Sequence, residues 1–210
     1  MSTHSTTDAV VYVVDDNQDV QSGLKLLLES VGLSCVTFGS VREFLLNNSD
    51  SKTSCLILDV RMPGIGGLDL QKELADARNR IPIIFITGHG DIPMTVRAMK
   101  AGAVEFLTKP LREQDVLDAV QMALQRDRAE RGKEQSRHNL RVRFDALSDR
   151  EREVMMCVIG GLLNKQTAAR LGLTESTVKA HRHNLMQKLG AKSVPDLVGI
   201  AESLEIDRPK

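Results

Sequence analysis

The sequence predicts an α/β domain built on a parallel sheet, followed by a smaller all-α domain. Short apolar runs alternate with helical patterns over roughly the first 120 residues, whereas the remainder shows helical patterns alone. The 210-residue chain has zero net charge, yet residues 1–125 carry 11 Lys and Arg against 16 Asp and Glu, and residues 126–210 carry 17 against 12. An acidic half joined to a basic half is typical of a signalling or cation-binding module attached to a nucleic-acid-binding module.

The first domain is predicted to alternate five strands with five helices. Its strand segments are rich in Val, Ile and Leu, which is typical of strands buried on both faces of a parallel sheet. Right-handed crossovers place helices on both sides of such a sheet, which makes it doubly wound. Asp91 is expected to cap the fourth helix, with Pro93 in its first turn. The strands are predicted near 9–14, 34–38, 54–59, 82–87 and 104–107, and the helices near 18–31, 40–47, 66–77, 92–101 and from 112 to 126 or beyond.

Three segments follow from this pattern. The first domain spans 9–125, and a charged stretch at 126–144 is predicted to continue the last helix as a helical linker. An all-α domain of four helices spans 145–207. Ser148 and Glu151 form a capping box at the start of its first helix. The other expected boundaries are a stop at Gly160-Gly161, a cap at Asn164 before helix 165–171, a stop at Gly172, a third helix from Thr174 or Glu175 to about Leu189, a stop at Gly190, and a fourth helix opened by Ser193.

Composition excludes several classes of protein. Apolar residues make up 41% of the chain, which is enough for a packed core, but no apolar run approaches the length of a membrane span. The polar start shows no secretory signal, so we expect a cytoplasmic protein with no membrane partner. The three cysteines, Cys35, Cys55 and Cys157, are scattered and odd in number, which favours buried reduced thiols. No Cys-x-x-Cys pair indicates a zinc site.

Polar residues that could act together follow four of the predicted strands. Asp15 and Asp16 follow the first, Asp59 ends the third, Thr87 ends the fourth and Lys109 follows the fifth. Open α/β sheets form their sites at the carboxyl ends of the strands, so these side chains should meet. An acid pair, an acid, a hydroxyl and an amine can together hold a divalent cation and accept a phosphoryl group.

This first domain resembles the receiver domain of two-component response regulators, which has a flavodoxin-like (βα)5 fold. The residues that carry the resemblance are Asp15-Asp16, Asp59, Met62-Pro63-Gly64, Thr87, Phe106 and Lys109-Pro110. The resemblance implies that Asp59 accepts the phosphoryl group and, with Asp16, binds Mg²⁺ (or Mn²⁺) directly. It further implies that the backbone carbonyl of Arg61 is a metal ligand and that Asp15 acts on the metal through water. Lys109 and Thr87 would contact the phosphoryl oxygens, and the Lys109-Pro110 bond would be cis. Thr87 and Phe106 would be the switch residues.

Simpler interpretations of single residues stay open. Asp59 could cap a turn, although a cap would not explain Asp15, Asp16 and Lys109 together. Thr87 could be an ordinary β-branched strand residue, and Phe106 an ordinary core aromatic. Arg61 either tunes the lifetime of the phosphoryl group or has no role.

The second domain resembles the LuxR-type helix-turn-helix output domain. The segments that carry this resemblance are 147–154, 164–166 and 173–182. Together with the receiver they indicate the FixJ/NarL family of regulators, and segments 88–94 and 181–184 are most similar to the FixJ branch. Val178, Leu185 and Leu189 should face the core. Lys179, Ala180 and His183 are predicted to contact bases in the major groove, and Lys165, Ser176, Thr177 and Arg182 to contact phosphates.

The two resemblances predict a DNA-binding response regulator that a sensor histidine kinase phosphorylates on Asp59. Phosphorylation is expected to produce a homodimer that binds double-stranded promoter DNA and, with RNA polymerase, activates transcription. The dimer would use Met94, Val96, Arg97, Lys100 and the face of residues 112–120. One alternative is a phosphotransferase or hydrolase with Asp59 as a recurrent nucleophile. Another is a DNA-binding protein whose degenerate receiver serves only as a dimer scaffold.

Overall fold

A computed structural model describes residues 9–47, 52–77, 79–88 and 90–207. The chain divides between Arg131 and Gly132 into two compact units. Of the residues that carry the FixJ-branch resemblance, His89 lies outside the described part. The predicted segments 9–125, 126–144 and 145–207 stay a proposal.

The first unit is a five-stranded, all-parallel sheet with the strand order β2-β1-β3-β4-β5. The chain places β2 on one side of β1 and then crosses back to place β3 on the other side. This change in the direction of strand addition opens a crevice at the carboxyl ends of β1 and β3. The strands are β1 (Ala9–Val14), β2 (Ser34–Phe38), β3 (Thr53–Asp59), β4 (Ile83–Thr87) and β5 (Glu105–Thr108). All five predicted strands are present, and their ends differ by at most one residue from the predictions.

Helices cover both faces of this sheet, as the runs of apolar strand residues predict. One core cluster joins Leu24 and Leu28 of α1 and Val120 of α5 to one face of the sheet. The other joins Phe44 of α2 and Leu70 of α3 to the opposite face, together with parts of α4. The helices are α1 (Gln18–Ser30), α2 (Val41–Asn47), α3 (Gly67–Asp76), α4 (Ile92–Lys100) and α5 (Glu113–Asp145). The predicted doubly wound, flavodoxin-like (βα)5 fold is confirmed.

Helix α5 continues to Asp145, well beyond the predicted lower bound of residue 126. Its last buried residue is Asp127, which lies at the amino end of β3. The Asp127 carboxylate accepts hydrogen bonds from the N–H of Ser54 at 2.9 Å and from Nε of Arg131 at 2.6 Å. A buried carboxylate needs such partners, so these bonds hold this part of α5 on the sheet.

The described residues of the second unit form four further helices around one apolar core. They are α6 (Asp149–Ile159), α7 (Asn164–Leu171), α8 (Glu175–Leu189) and α9 (Val194–Ser203). Gly172 ends α7 and Gly190 ends α8, both in the left-handed conformation that favours glycine, with φ of 67° and 70°. The all-α helix-turn-helix region is therefore present as predicted.

Helix caps agree with the sequence analysis at all predicted positions except one. Ser148 and Glu151 form the capping box of α6, Asp91 caps α4, and Thr174 and Ser193 cap α8 and α9. The prediction for Asn164 was wrong, because α7 begins at Asn164 itself and Leu163 is the cap residue. The side-chain hydrogen bond at the start of α7 comes from Gln166 instead, because its Oε1 accepts from the N–H of Leu163 at 2.8 Å.

The three cysteines are free and buried, as predicted. Burial raises the pKa of the Cys35 thiol to about 11, opposed by the charge of Lys25, so the thiol stays protonated near neutral pH. Burial also raises the pKa of Cys55.

Among the described residues, no helix is both long enough and apolar enough to cross a membrane.

Candidate functional sites

The carboxylates of Asp15, Asp16 and Asp59 meet at the carboxyl edge of the sheet. Strands β1 and β3 are hydrogen-bonded neighbours with Val14 opposite Leu58, so the residues that follow lie side by side. One oxygen atom from each carboxylate lies within 4.8 Å of the other two. Asp15 and Asp59 are 0% and 6% exposed, whereas Asp16 faces solvent. Two of the three acids are thus fixed in the protein, and the third borders the opening.

Lys109 reaches this cluster from the segment after β5. Its Nζ lies 2.6 Å from Oδ2 of Asp15 and 3.2 Å from Oδ2 of Asp59. Its backbone N–H donates to the carbonyl of Thr87 at 2.8 Å, which fixes the segment beside β4. The Lys109–Pro110 peptide bond is cis, as the resemblance implied. Asp15 is the nearer partner of the ammonium.

At Asp59 and at Lys109, burial and the neighbouring opposite charge shift the pKa in opposite directions. Burial raises the pKa of the Asp59 carboxyl, while the Lys109 ammonium and the N–H of Arg61 oppose the rise. Burial alone would lower the pKa of Lys109, but its hydrogen bonds to Asp15 and Asp59 and their negative charges outweigh that effect and raise it. Lys109 therefore stays an ammonium at neutral pH.

The donor set fits a hard divalent cation. Three carboxylates face one ammonium, which leaves an excess of negative charge, and the donors are oxygen atoms of the kind that Mg²⁺ prefers. Arg61 is exposed, and its N–H donates to Oδ1 of Asp59 at 3.3 Å. The predicted metal ligand is the backbone carbonyl of Arg61, and that role stays a prediction.

The two predicted switch residues lie on neighbouring strands. Thr87 is fully buried at the end of β4, and Phe106 is half-buried on β5, with its ring centroid 6.2 Å from that of Phe85. Both adjoin Gly90. A Cβ built on Gly90 would lie 3.0 Å from Cε1 of Phe106 and 3.3 Å from Cγ2 of Thr87. The absent side chain leaves room for the present position of the Phe106 ring.

Gly67 is a site residue to which the sequence analysis gave no role. It begins α3, and its N–H donates to the carbonyl of Val60 at 3.1 Å. A Cβ there would lie 2.6 Å from the backbone oxygen of Asp59, a distance that neither backbone could accept without moving. Only glycine lets α3 start this close to Asp59. Gly67 follows Gly64 and Gly66, and glycines clustered between a strand and a helix give no sequence signal that distinguishes this use from an ordinary turn.

Helix α8 of the second unit separates core residues from surface residues as predicted. Val178, Leu185 and Leu189 are fully buried. The residues predicted to contact bases, Lys179, Ala180 and His183, are exposed, as are Ser176 and, on α7, Lys165. Thr177 is half-buried, and its hydroxyl lies 2.8 Å from that of Thr174 at the amino end of α8. Exposure is what DNA contact requires, and the individual contacts stay predictions.

Two cations of α8 have partners inside the unit. Arg182 is half-buried and donates from Nη1 to Oδ1 of Asn164 at 2.7 Å, which links the two helices of the helix-turn-helix. The Asn164 carboxamide, which was expected to cap α7, is therefore bonded to Arg182 instead. Lys188 lies 2.7 Å from Oε2 of the buried Glu151. That hydrogen bond, reinforced by the N–H of Ser148 and opposed by burial, lowers the pKa of Glu151.

The chain matches two protein families over most of its length. A family model described as a response regulator receiver domain matches residues 11–121. A second, described as bacterial regulatory proteins of the luxR family, matches residues 145–201.

Curated relatives and solved structures share this pair of domains nearly end to end. Nodulation protein W of Bradyrhizobium diazoefficiens is 53% identical over 204 residues, 97% of this chain and 90% of that protein. The transcriptional regulatory protein FixJ of Rhizobium meliloti is 40% identical over 93% of this chain and 96% of that protein. The structure of the response regulator StyR is similar with a TM-score of 0.82 and 48% identity over 93% of this chain and 98% of that one. The structure of full-length FixJ from B. japonicum is similar with a TM-score of 0.56 and 34% identity over 94% of this chain and 98% of that one.

The two matched domains define a family of transcriptional response regulators rather than typical enzymes, and a receiver domain implies a histidine kinase as partner. With the acid cluster at the strand ends and an exposed helix-turn-helix, the chain belongs to the FixJ/NarL-type response regulators and is a DNA-binding transcription regulator of a two-component system.

Proposed function

We propose that Asp59 accepts a phosphoryl group from a phosphohistidine of the sensor kinase and that this event controls binding to promoter DNA. The observation that carries the proposal is the surroundings of Asp59. The residue is 6% exposed, and its carboxylate lies 3.2 Å from the Lys109 ammonium and shares a cluster with Asp15 and Asp16. A turn cap would need none of these partners.

A divalent cation would complete the site. Bound Mg²⁺ (or Mn²⁺) supplies the positive charge that lets an anionic phosphoryl group approach an anionic carboxylate. Asp16 and Asp59 would hold the cation together with the backbone carbonyl of Arg61, and Asp15 would act through a water molecule. The exposed position of Asp16 supports this assignment, because it leaves the cluster open on the side from which an ion can enter.

The protein side chains then have separate tasks. An oxygen of Asp59 forms the new bond to phosphorus while the P–N bond of the phosphohistidine breaks, and the imidazole leaves with that electron pair. Lys109 keeps its positive charge because its pKa is raised, and it neutralises one phosphoryl oxygen. The hydroxyl of Thr87 donates to another.

The resulting change would reach the surface through Thr87 and Phe106. Phosphorylation adds nearly two negative charges, which favours an arrangement in which Thr87 moves toward the phosphoryl group and Phe106 turns inward. The dimer that follows would use Met94, Val96, Arg97, Lys100 and the face of residues 112–120. Exposed apolar side chains on α4 support this surface, since Ile92, Val96 and Met99 are 81%, 43% and 40% exposed.

In the second unit, α8 would enter the major groove. Lys179, Ala180 and His183 would contact bases, and Lys165, Ser176, Thr177 and Arg182 would contact phosphates. The bond from Arg182 to Asn164 fixes the guanidinium beside α7, where its remaining N–H groups can still donate. The dimer would bind two half-sites and activate transcription by RNA polymerase in the cytoplasm, where the DNA is.

Labelling by acetyl phosphate tests the central step. The purified full chain should take up one phosphoryl group per molecule in the presence of Mg²⁺, and Asp59→Asn should abolish the uptake. Asp19→Asn is the matched control, because Asp19 is an exposed acid in the first turn of α1 and should leave uptake unchanged. Equal labelling of the wild type and Asp59→Asn would contradict the assignment of Asp59.

A second measurement links that step to DNA. The beryllofluoride mimic of the phosphoryl group should convert the wild type to a dimer and increase its affinity for promoter DNA. Asp59→Asn should show neither response. Equal affinity with and without the mimic would mean that the receiver does not control the DNA-binding helix.

A further inference from the structure

Asp15 is held at each of its polar groups. Its N–H donates to the carbonyl of Phe38 at 3.2 Å, and its Oδ1 accepts from the N–H of Asn17 at 2.8 Å. Its Oδ2 accepts from Lys109 at 2.6 Å. Its backbone carbonyl accepts from Nε2 of Gln21 at 2.7 Å. Asp15 is fully buried, so each of these bonds replaces one that water would otherwise make.

Gln21 differs from the other partners of Asp15. It belongs to none of the motifs at the strand ends, and it lies one turn into α1, where its own N–H donates to the carbonyl of Asn17 at 3.1 Å. From there its half-buried side chain reaches back to the carbonyl that immediately precedes Asp16. A glutamine amide has two donor hydrogens, so this bond suits its chemistry.

The Gln21 bond acts on the direction of Asp16 through the backbone. The carbonyl of Asp15 and the nitrogen of Asp16 belong to one planar peptide group, so fixing that carbonyl also fixes the orientation from which the Asp16 side chain starts. Asp16 is exposed, and the direction of its carboxylate therefore depends on the backbone that carries it. An oxygen of Asp16 must stay within 4.8 Å of oxygens of Asp15 and Asp59 for the three to share a cation.

We propose that Gln21 is a positioning residue for the divalent cation: its amide fixes the Asp15–Asp16 peptide plane and thereby directs the Asp16 carboxylate toward Asp59. The inference rests on the proposed function, since it concerns the same metal site. Partners that orient metal ligands typically change metal affinity by about 10–100-fold when they are removed. Gln21 would thus contribute to phosphoryl uptake without touching either the cation or the phosphoryl group.

Binding of Mn²⁺ to the full chain, followed by electron paramagnetic resonance, tests this role without a measurement of activity. Gln21→Met keeps the length of the side chain but removes the donor, and we expect it to weaken Mn²⁺ binding about 10-fold. Gln21→Ala should give the same loss. Gln18→Met is the matched control, because Gln18 is an exposed glutamine at the start of α1, one turn before Gln21, and this variant should bind Mn²⁺ as the wild type does.

The melting temperature separates positioning from general destabilisation. Loss of the bond to the Asp15 carbonyl should lower the melting temperature of Gln21→Met, so Mn²⁺ affinity is compared at a temperature where both variants are folded, and there only Gln21→Met should lose it. Equal Mn²⁺ affinity of the wild type and Gln21→Met would overturn the role of Gln21 and leave the proposed function intact. An equal loss in Gln18→Met would overturn it as well. A wild type that binds no Mn²⁺ would overturn the proposed metal site and this inference together.

Discussion

The two candidate sites of this protein are built in opposite ways. The acid cluster brings together residues that are far apart in the chain, and its central members Asp15 and Asp59 are buried and bonded to Lys109. The DNA-binding surface comes mainly from one helix, α8, and the residues predicted to contact bases are exposed. Substitutions near the acid cluster should therefore change geometry and stability as well as chemistry. Substitutions on the outer face of α8 should remove a contact and little else.

The largest effect is expected at Gly67. In Gly67→Ala the new Cβ would lie 2.6 Å from the backbone oxygen of Asp59, so α3 and the end of β3 must separate. Overpacking of this kind costs about 3 kcal/mol, and phosphoryl uptake should fall with it because Asp59 moves. Urea unfolding and acetyl phosphate labelling measure the two effects.

Gly66→Ala is the neighbouring control for Gly67. A Cβ there would meet its nearest atom at 3.4 Å, and its φ of −71° suits alanine. We expect stability within about 1 kcal/mol of the wild type and normal labelling. If both substitutions had the same effect, the close approach of α3 to Asp59 would not be what requires glycine.

The next largest effect, on stability, is expected at Glu151, a buried acidic residue of the second unit. Glu151→Ala removes the capping box of α6 and the partner of Lys188, and should cost about 2 kcal/mol at pH 7. Because folding lowers the pKa of Glu151 from 4.5, its contribution is complete above that value and is lost as the pH falls through the lower folded pKa. Urea unfolding at pH 7 and below pH 4.5 should show the difference between wild type and variant shrinking with acid.

Glu153→Ala provides the comparison for Glu151. Its partner Arg150 is 2.8 Å away, but both side chains are about half exposed. Exposed pairs contribute about 0–1 kcal/mol, so we expect little loss of stability at either pH. A loss as large as that of Glu151→Ala would argue against burial as the cause.

A smaller effect, on binding alone, is expected at Lys179. Lys179→Ala should weaken promoter binding by about 1.5 kcal/mol, roughly tenfold, with an unchanged melting temperature, because we propose that the exposed side chain contacts a base. Lys165→Ala should instead weaken binding to all sequences and reduce the salt dependence, as loss of a phosphate contact does. Footprinting over a range of salt concentrations distinguishes the two. Lys192→Ala, an exposed lysine between α8 and α9, should leave both unchanged.

The smallest effect is expected at Gly90, where the contact is with a side chain rather than with backbone. In Gly90→Ala the Cβ would crowd the Phe106 ring at 3.0 Å and disfavour its present position. We expect the unphosphorylated protein to dimerise a few-fold more tightly, a change of about 1 kcal/mol or less. Sedimentation of Gly90→Ala, Phe106→Leu and the double variant should reveal coupling between the two sites.

Gly88→Ala serves as the control for Gly90. It lies two residues earlier in the same loop, and a Cβ there would meet no atom within 4 Å. Its dimerisation should match the wild type. Additive effects of Gly90→Ala and Phe106→Leu would mean that the two residues do not communicate through this contact.

Much of the fold was predictable, because it follows from local patterns. All five strands appear within one residue of their predicted ends, and the caps at Asp91, Ser148 and Ser193 act as expected. Asn164 was the exception among the caps. Asparagine favours cap positions in isolation, but here its carboxamide is bonded to Arg182, 18 residues away in the chain.

The sequence by itself determined which residues could meet at the sheet edge, since parallel strands bring their carboxyl ends together whatever the details of packing. Only the tertiary structure decided how they pair. Lys109 lies nearer to Asp15 than to Asp59, the Asp15 carbonyl is held by Gln21, and α3 begins against the backbone of Asp59 at Gly67. Such distances depend on how several distant segments pack at once, and periodicity along the chain carries no information about that packing.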